Sequence, residues 1–217
     1  MKKIIFIEPK PPDFHIFSRM PLPRLGTVLL GTILKENGYN VKSYVEALED
    51  IDLEDVLKAD AVGISTITST SPRSYEIARL VKKAGIPVFM GGPHVTFLPY
   101  EALENCDYVI RGEADETILD FIKALETNKG FESIPGLSFK KDGKIVHNKM
   151  VSYCKELDKL PVPDYTIVKG LENGLNKLGI TPIMTSRGCP YDCSFCSVTG
   201  MFGQKYRFRS TEKVLAE

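Results

Sequence analysis

The sequence predicts an α/β protein: a flavodoxin-like, five-stranded parallel sheet with helices on both faces, followed by a hairpin linker and a further βα unit. Three observations predict it. Short β-branched runs alternate with helical patterns through the first 130 residues. After Gly130 the texture changes to turn and proline signals. A new apolar run then leads straight into a group of cysteines.

Ile4–Ile7 predicts the first strand; behind its basic start it is too short to serve as a signal peptide. Leu22, Leu25, Leu29 and Ile33 recur at helical spacing, and Gly38 stands where a C-terminal cap belongs. Further strands are expected at 41–45, 61–65, 87–90 and 108–110. Ser71 and Pro72 read as the N-cap and first-turn proline of a helix whose apolar face is Ile77, Ala78, Val81 and Ala84, closed by Gly85. Ile118, Ile122 and Leu125 mark another helix. Beyond it, 136–148 predicts a hairpin turning at Asp142-Gly143, and "LDKLPVPDY" (157–165) a proline-stiffened boundary. Residues 180–186 predict a strand, and 210–217 a helix capped by Ser or Thr. The expected division is 1–130 for the sheet domain, 131–178 for the hairpin and linker, and 179–217 for the βα unit.

Lys+Arg and Asp+Glu both number 28, so no global field favours nucleic acid or an anionic membrane. No apolar run approaches a membrane span. Five cysteines, three of them bunched, do not form a secreted disulfide framework, and a reducing cytoplasmic setting is expected.

Parallel sheets bind ligands beyond the carboxyl ends of their strands, which directs attention to the loops after Ile7, Ser65, Met90 and Ile110. No GxGxxG follows the first strand, so a dinucleotide site has no support. A phospho-acceptor receiver wants acidic residues on the first and third strands; Glu8 is present, but the third strand ends in Ser65. That third loop offers Ser65, Thr66 and Thr68, either to a ligand or to its own backbone. The fourth, "GGPHVT", pairs Gly91 and Gly92, which lets a bulky ligand approach the backbone. Pro93 follows, and His94 is a hydrogen-bond donor or a satisfied loop histidine. The fifth adds Gly112 and Glu113, the latter a ligand contact or a carboxylate facing a helix dipole. The long first loop carries Asp13 and His15, a spacing that suits a histidine ligand oriented by a carboxylate.

The segments "PRLGTVLLGTILKENGY", "VGIS", "GGPHVTFLP" and "DYVIRGEAD" together resemble the cobalamin-binding domain found ahead of radical S-adenosylmethionine enzymes. The resemblance implies that Ser65 and Gly91–Gly92 lie along the cobalamin nucleotide tail. Thr66, Thr68, Pro93, His94, Gly112 and Glu113 are further cofactor-binding candidates on the same edge. "DFHIFS" is similar to the Asp-x-His-x-x-Gly motif of cobalamin mutases, with Ser18 in place of the glycine. His15 is thereby a candidate cobalt ligand, of a kind that many radical members lack.

"TSRGCPYDCSFCS" matches the same family's Cys-x3-Cys-x2-Cys pattern at Cys189, Cys193 and Cys196, with Phe195 before the last cysteine. Three thiolates hold three irons of a four-iron, four-sulfur (4Fe-4S) cluster and leave one iron open. In the family, S-adenosylmethionine chelates that iron, and an electron from the cluster breaks its C–S bond to give a deoxyadenosyl radical. The alternative is zinc with Cys154 or Cys106 as fourth ligand, although the paired C-x2-C knuckles of structural zinc sites are absent. The resemblance implies a cobalamin-dependent radical S-adenosylmethionine enzyme, a methyltransferase acting on an unactivated carbon of a small-molecule substrate. An electron donor would serve its cluster, with no nucleic-acid or membrane partner. Cyclisation or rearrangement without methyl transfer, and a non-catalytic corrinoid-binding module, stay open. Residues 179–217 would begin a (β/α) barrel left incomplete here, so the chain alone is expected to be inactive and to lack catalytic residues of its own.

Overall fold

Buried β-branched runs set the frame. The computed structural model describes residues 2–12, 22–150, 153–173, 175 and 180–217. It carries β1 (Lys3–Glu8), β2 (Asn40–Val45), β3 (Ala61–Ser65), β4 (Val88–Gly91) and β5 (Tyr108–Ile110). These strands pair in parallel in the order β2-β1-β3-β4-β5. The helices α1 (Leu25–Glu36), α2 (Leu53–Val56), α3 (Ser71–Lys83), α4 (Pro93–Phe97), α5 (Pro99–Asn105) and α6 (Ile118–Thr127) connect and cover them.

Strand alternation divides the core between the two faces. Ile4 and Phe6 point into a cluster with Val28 and Leu34 of α1 and Phe121 of α6. Ile5 and Ile7 point the other way, to Val81 of α3 and Leu103 of α5. The predicted doubly covered parallel sheet is therefore present.

Some boundaries differ from expectation. Leu22 lies outside α1, which begins at Leu25 and closes before Gly38 at φ +88. Ser71 is not the cap of α3 but its first residue: a 3-10 turn over Thr68–Thr70 precedes it, and its Oγ donates back to the Thr68 carbonyl at 3.0 Å. Helices α2, α4 and α5 are too short to show a periodic pattern, and α4 and α5 each start at a proline.

The hairpin turns at Asp142-Gly143, both at positive φ, between β6 (Leu137–Lys141) and β7 (Lys144–His147). It extends the sheet rather than leaving it. Strand β6 pairs antiparallel with β5, so among the described residues the sheet has seven strands. The cause is the open edge of β5, which needs a partner, together with Leu137 and Phe139, which need a core. The proline-rich connector is also bound down. Its Val168 bridges Ser43 of β2, the Lys169 N–H donates to the Ser43 carbonyl at 2.8 Å, and Ile167 packs against Gly31 of α1.

The strand expected over 180–186 is reduced to β8 (Ser186–Arg187), paired with β9 (Arg207–Phe208). Thr185 accepts from the Arg209 N–H at 2.9 Å, but residues 180–184 find no ladder partner among the described residues, and an unpartnered run does not form a strand. Between β8 and β9 lies α7 (Val198–Phe202). The chain then enters α8 (Thr211–Ala216), capped as predicted by Ser210, whose Oγ accepts from the Lys213 N–H at 3.3 Å. Among the described residues no helix is long and apolar enough to cross a membrane.

Candidate functional site

Strands β3, β4 and β5 all end at one edge, and their loops meet a cavity of about 420 Å³ lined by Ser65, Gly91, Gly92, Gly112 and Glu113. Leu25 and Leu30 of α1 add apolar lining, and Arg187, Met201 and Phe202 from the cysteine-bearing segment line it as well. The cavity is thus shared by the sheet edge and that segment.

The lining residues are held in different ways. Arg24 donates from Nη1 to both the Oγ and the carbonyl of Ser65, at 3.1 and 3.2 Å, and pairs with the buried Glu8 at 3.2 Å. Burial raises the Glu8 carboxyl and the Arg24 charge counters it. Gly91 keeps open space, since a Cβ there would meet nothing nearer than the Ile110 carbonyl at 3.7 Å. Gly92, at φ +100, is pressed against the Thr66 backbone. Gly112, at φ +74, donates its N–H to Thr96 Oγ1 at 3.1 Å.

Thr66, Thr68, Pro93 and His94 stand outside this lining. Thr66 is fully buried, and among the described residues its Oγ1 has no hydrogen-bond partner. His94 is buried in α4, with Thr68 Oγ1 3.3 Å from Nδ1 and Glu101 Oε1 3.4 Å from Nε2. Both ring nitrogens thus face protein partners. Asp13 and His15 lie outside the described residues.

Glu113 lines the cavity, and it lies ahead of α6 (Ile118–Thr127) rather than in the first turn of a helix. Its buried carboxylate accepts from Arg207 Nη2 at 2.5 Å, from Arg207 Nη1 at 2.9 Å and from the Cys154 N–H at 2.9 Å. Asp115 holds Arg187 at 2.5 and 3.1 Å. Motif reasoning misses Arg187, Arg207 and Asp115. The available signal was two carboxylates at alternate positions in "RGEAD" and two arginines bracketing the cysteine loop.

Cys193 is exposed, Cys189 and Cys196 are half-buried, and none is in a disulfide. The Cys196 N–H donates to the Cys193 carbonyl at 3.0 Å, and the Cys189 N–H to the Gly203 carbonyl at 3.2 Å. Among the described residues no three His, Cys, Asp or Glu side chains are gathered as a metal-ligand set. Cys106 sits in the core, its thiol pushed up to about 12 by burial, and burial likewise raises Cys154 to about 11. As a donor set, three unpaired thiols on one accessible loop fit a cluster that leaves one iron free of protein.

Residues 18–122 match the B12-binding domain family. This part of the chain is a B12-binding domain. Together with the segment downstream of it, the B12-binding domain is 34% identical over 206 residues to an uncharacterized methyltransferase of Pyrococcus horikoshii, covering 90% of this chain and 45% of that protein. It is also 28% identical to the anaerobic magnesium-protoporphyrin IX monomethyl ester cyclase of Cereibacter sphaeroides, over 99% of this chain and 38% of that one. The fold is shared with the radical S-adenosylmethionine methyltransferase TsrM of Kitasatospora setae, solved with cobalamin and a 4Fe-4S cluster. There the TM-score is 0.76 at 18% identity, over 100% of this chain and 45% of the other. The chain spans less than half the length of these relatives.

Proposed function

We propose that the chain is the cobalamin-binding and cluster-bearing N-terminal part of a radical S-adenosylmethionine methyltransferase acting on an unactivated carbon of a small-molecule substrate. The observation that carries this reading is one cavity lined both by the sheet-edge loops of the B12-binding domain and by Arg187, Gly188, Met201 and Phe202, which flank the three cysteines in sequence. In this reading Ser65, Gly91, Gly92 and Gly112 hold the cobalamin tail, and Cys189, Cys193 and Cys196 hold the cluster. When bound, the cluster would supply the electron that cleaves S-adenosylmethionine, and cobalamin the methyl group. The protein's own work is positional: open backbone at Gly91 admits the tail, Arg24 fixes the Ser65 hydroxyl, and the apolar side of the cavity excludes water. An external electron donor is required to reduce the cluster. The similarity to a cyclase supports a second reading, ring closure without methyl transfer by the same cofactors.

Anaerobic reconstitution with iron and sulfide tests the assignment. Roughly four irons per chain are expected, lost in Cys189→Ala, Cys193→Ala and Cys196→Ala but kept in Cys106→Ala and Cys154→Ala. One tightly held zinc that depends on Cys154 would contradict it.

A further inference from the structure

Two arginines bracket the cysteine loop, and both reach back to a single turn of the B12-binding domain. Arg187, just ahead of Gly188 and Cys189, has a side chain 11% exposed and forks onto Asp115, with Glu113 3.6 Å away. Arg207 forks onto Glu113 and donates further to the carbonyls of Cys154 at 2.5 Å and Phe202 at 2.9 Å. All four charged groups are nearly buried. Glu113 and Asp115 belong to the loop after β5, which also brings Gly112 to the cavity. Behind them Gly188, at φ +87, lies so close to the Lys205 carbonyl that a Cβ would collide with it.

A buried, charge-balanced quartet is a weak source of stability, because desolvation offsets much of its attraction. It is a strong selector of geometry, since any shift leaves a buried charge without its fork. We infer that Arg187, Arg207, Glu113 and Asp115 form a positioning device that fixes the cysteine loop on the rim of the cavity. The thiols and the tail-binding edge thereby keep one relative orientation. The purpose given to that orientation rests on the function proposed above. The clamp itself does not, and neither arginine is a catalytic residue.

Arg187→Lys keeps the charge and loses the fork. The full chain, free of cofactors, is treated with iodoacetamide, and the labelling rate of each cysteine is read by mass spectrometry. Cys189 and Cys196 should label about tenfold faster in the variant, as expected when a local segment opens, while core Cys106 stays unlabelled. Asp115→Asn should act the same way. Unchanged rates at Cys189 and Cys196 in both variants would overturn the clamp. So would an equal rise at Cys106, because the quartet would then hold the whole fold rather than one loop. In a second arm, reconstituted wild type and Arg187→Lys are compared at equal iron content. The paramagnetic resonance of the reduced cluster should broaden in the variant; superimposable spectra would remove the positioning role. A wild type that takes up no iron would count against the proposed function alone, and the labelling arm would still decide the clamp.

Discussion

Gly91 and Gly92 are neighbours, yet each is glycine for its own reason. At Gly92 the backbone has φ +100, and a Cβ would stand 2.7 Å from the Thr66 carbonyl oxygen. Both facts demand glycine for folding. At Gly91 the same atom would meet only the Ile110 carbonyl at 3.7 Å, so the space is left for whatever enters the cavity. Gly92→Ala should therefore cost about 2 kcal/mol of stability, read from urea denaturation. Gly91→Leu should unfold like wild type and bind hydroxocobalamin at least about tenfold more weakly by equilibrium dialysis, a loss of roughly 1.4 kcal/mol. Full-strength binding by Gly91→Leu would take this loop out of the site. From residue types alone, Gly92 looks like the sharper probe of ligand passage because it lies further past the strand. The dihedral angle that makes it a structural glycine is not written in the letters. His94 has the same lesson: its type permits a ligand contact, and only the positions of Thr68 and Glu101 reveal that its ring is already engaged.

Elements were legible where a period had room to repeat. The five parallel strands and the helices α1, α3 and α6 follow from β-branched runs and apolar faces, and the Asp142-Gly143 turn from its own chemistry. What the sequence hid was contact between distant segments. Nothing in "PVPDYTI" announces that Ile167 fits against Gly31, or that Asp164 will pair with Lys35 at 2.6 Å. The short α2 is a similar case, held by Asp55. Its carboxylate accepts from Lys3 at 2.7 Å, Lys42 at 2.8 Å and the Tyr44 hydroxyl at 2.8 Å, tying the helix to β1 and β2. Burial works against its ionisation, but the hydrogen bonds from Lys3, Lys42 and Tyr44 outweigh it and hold the carboxyl well below the usual range. A carboxylate depressed by folding stabilises fully above its unfolded value, near pH ~4. That contribution is lost as pH falls from there through the folded value. Asp55→Asn should cost about 2 kcal/mol at neutral pH and flatten the decline of stability below pH ~4. An acid limb identical to that of wild type would show that other carboxylates govern it.

At the scale of the molecule, the sheet and its apolar core continue past residue 130. Residue 130 falls after α6, but Leu137, Phe139, Leu157, Tyr165, Ile167 and Val168 share one apolar cluster with α1 and α6. A chain cut at 130 would also leave the outer edge of β5 without β6, the kind of open edge that recruits other chains. Each large apolar side chain lost from a core removes about 1.5–3 kcal/mol, so losing these six removes an amount comparable with the ~5–15 kcal/mol that holds a domain folded. The fragment 1–130 should therefore show no cooperative thermal transition and should aggregate, whereas 1–173, which keeps the hairpin and the docked connector, should melt cooperatively. Circular dichroism and size-exclusion chromatography distinguish the two. A cooperative transition in 1–130, with hydroxocobalamin bound, would show that the later core residues are dispensable. Dialysis of 1–173 then asks how much of the binding belongs to the B12-binding domain itself. That fragment retains Ser65, Gly91, Gly92 and Gly112 but loses Arg187, Met201 and Phe202, which also line the cavity. Affinity near that of the full chain is expected, because the open backbone at Gly91 and the Ser65 hydroxyl lie on the retained side. Loss of binding by folded 1–173 would instead assign part of the grip on cobalamin to the segment that carries the thiols.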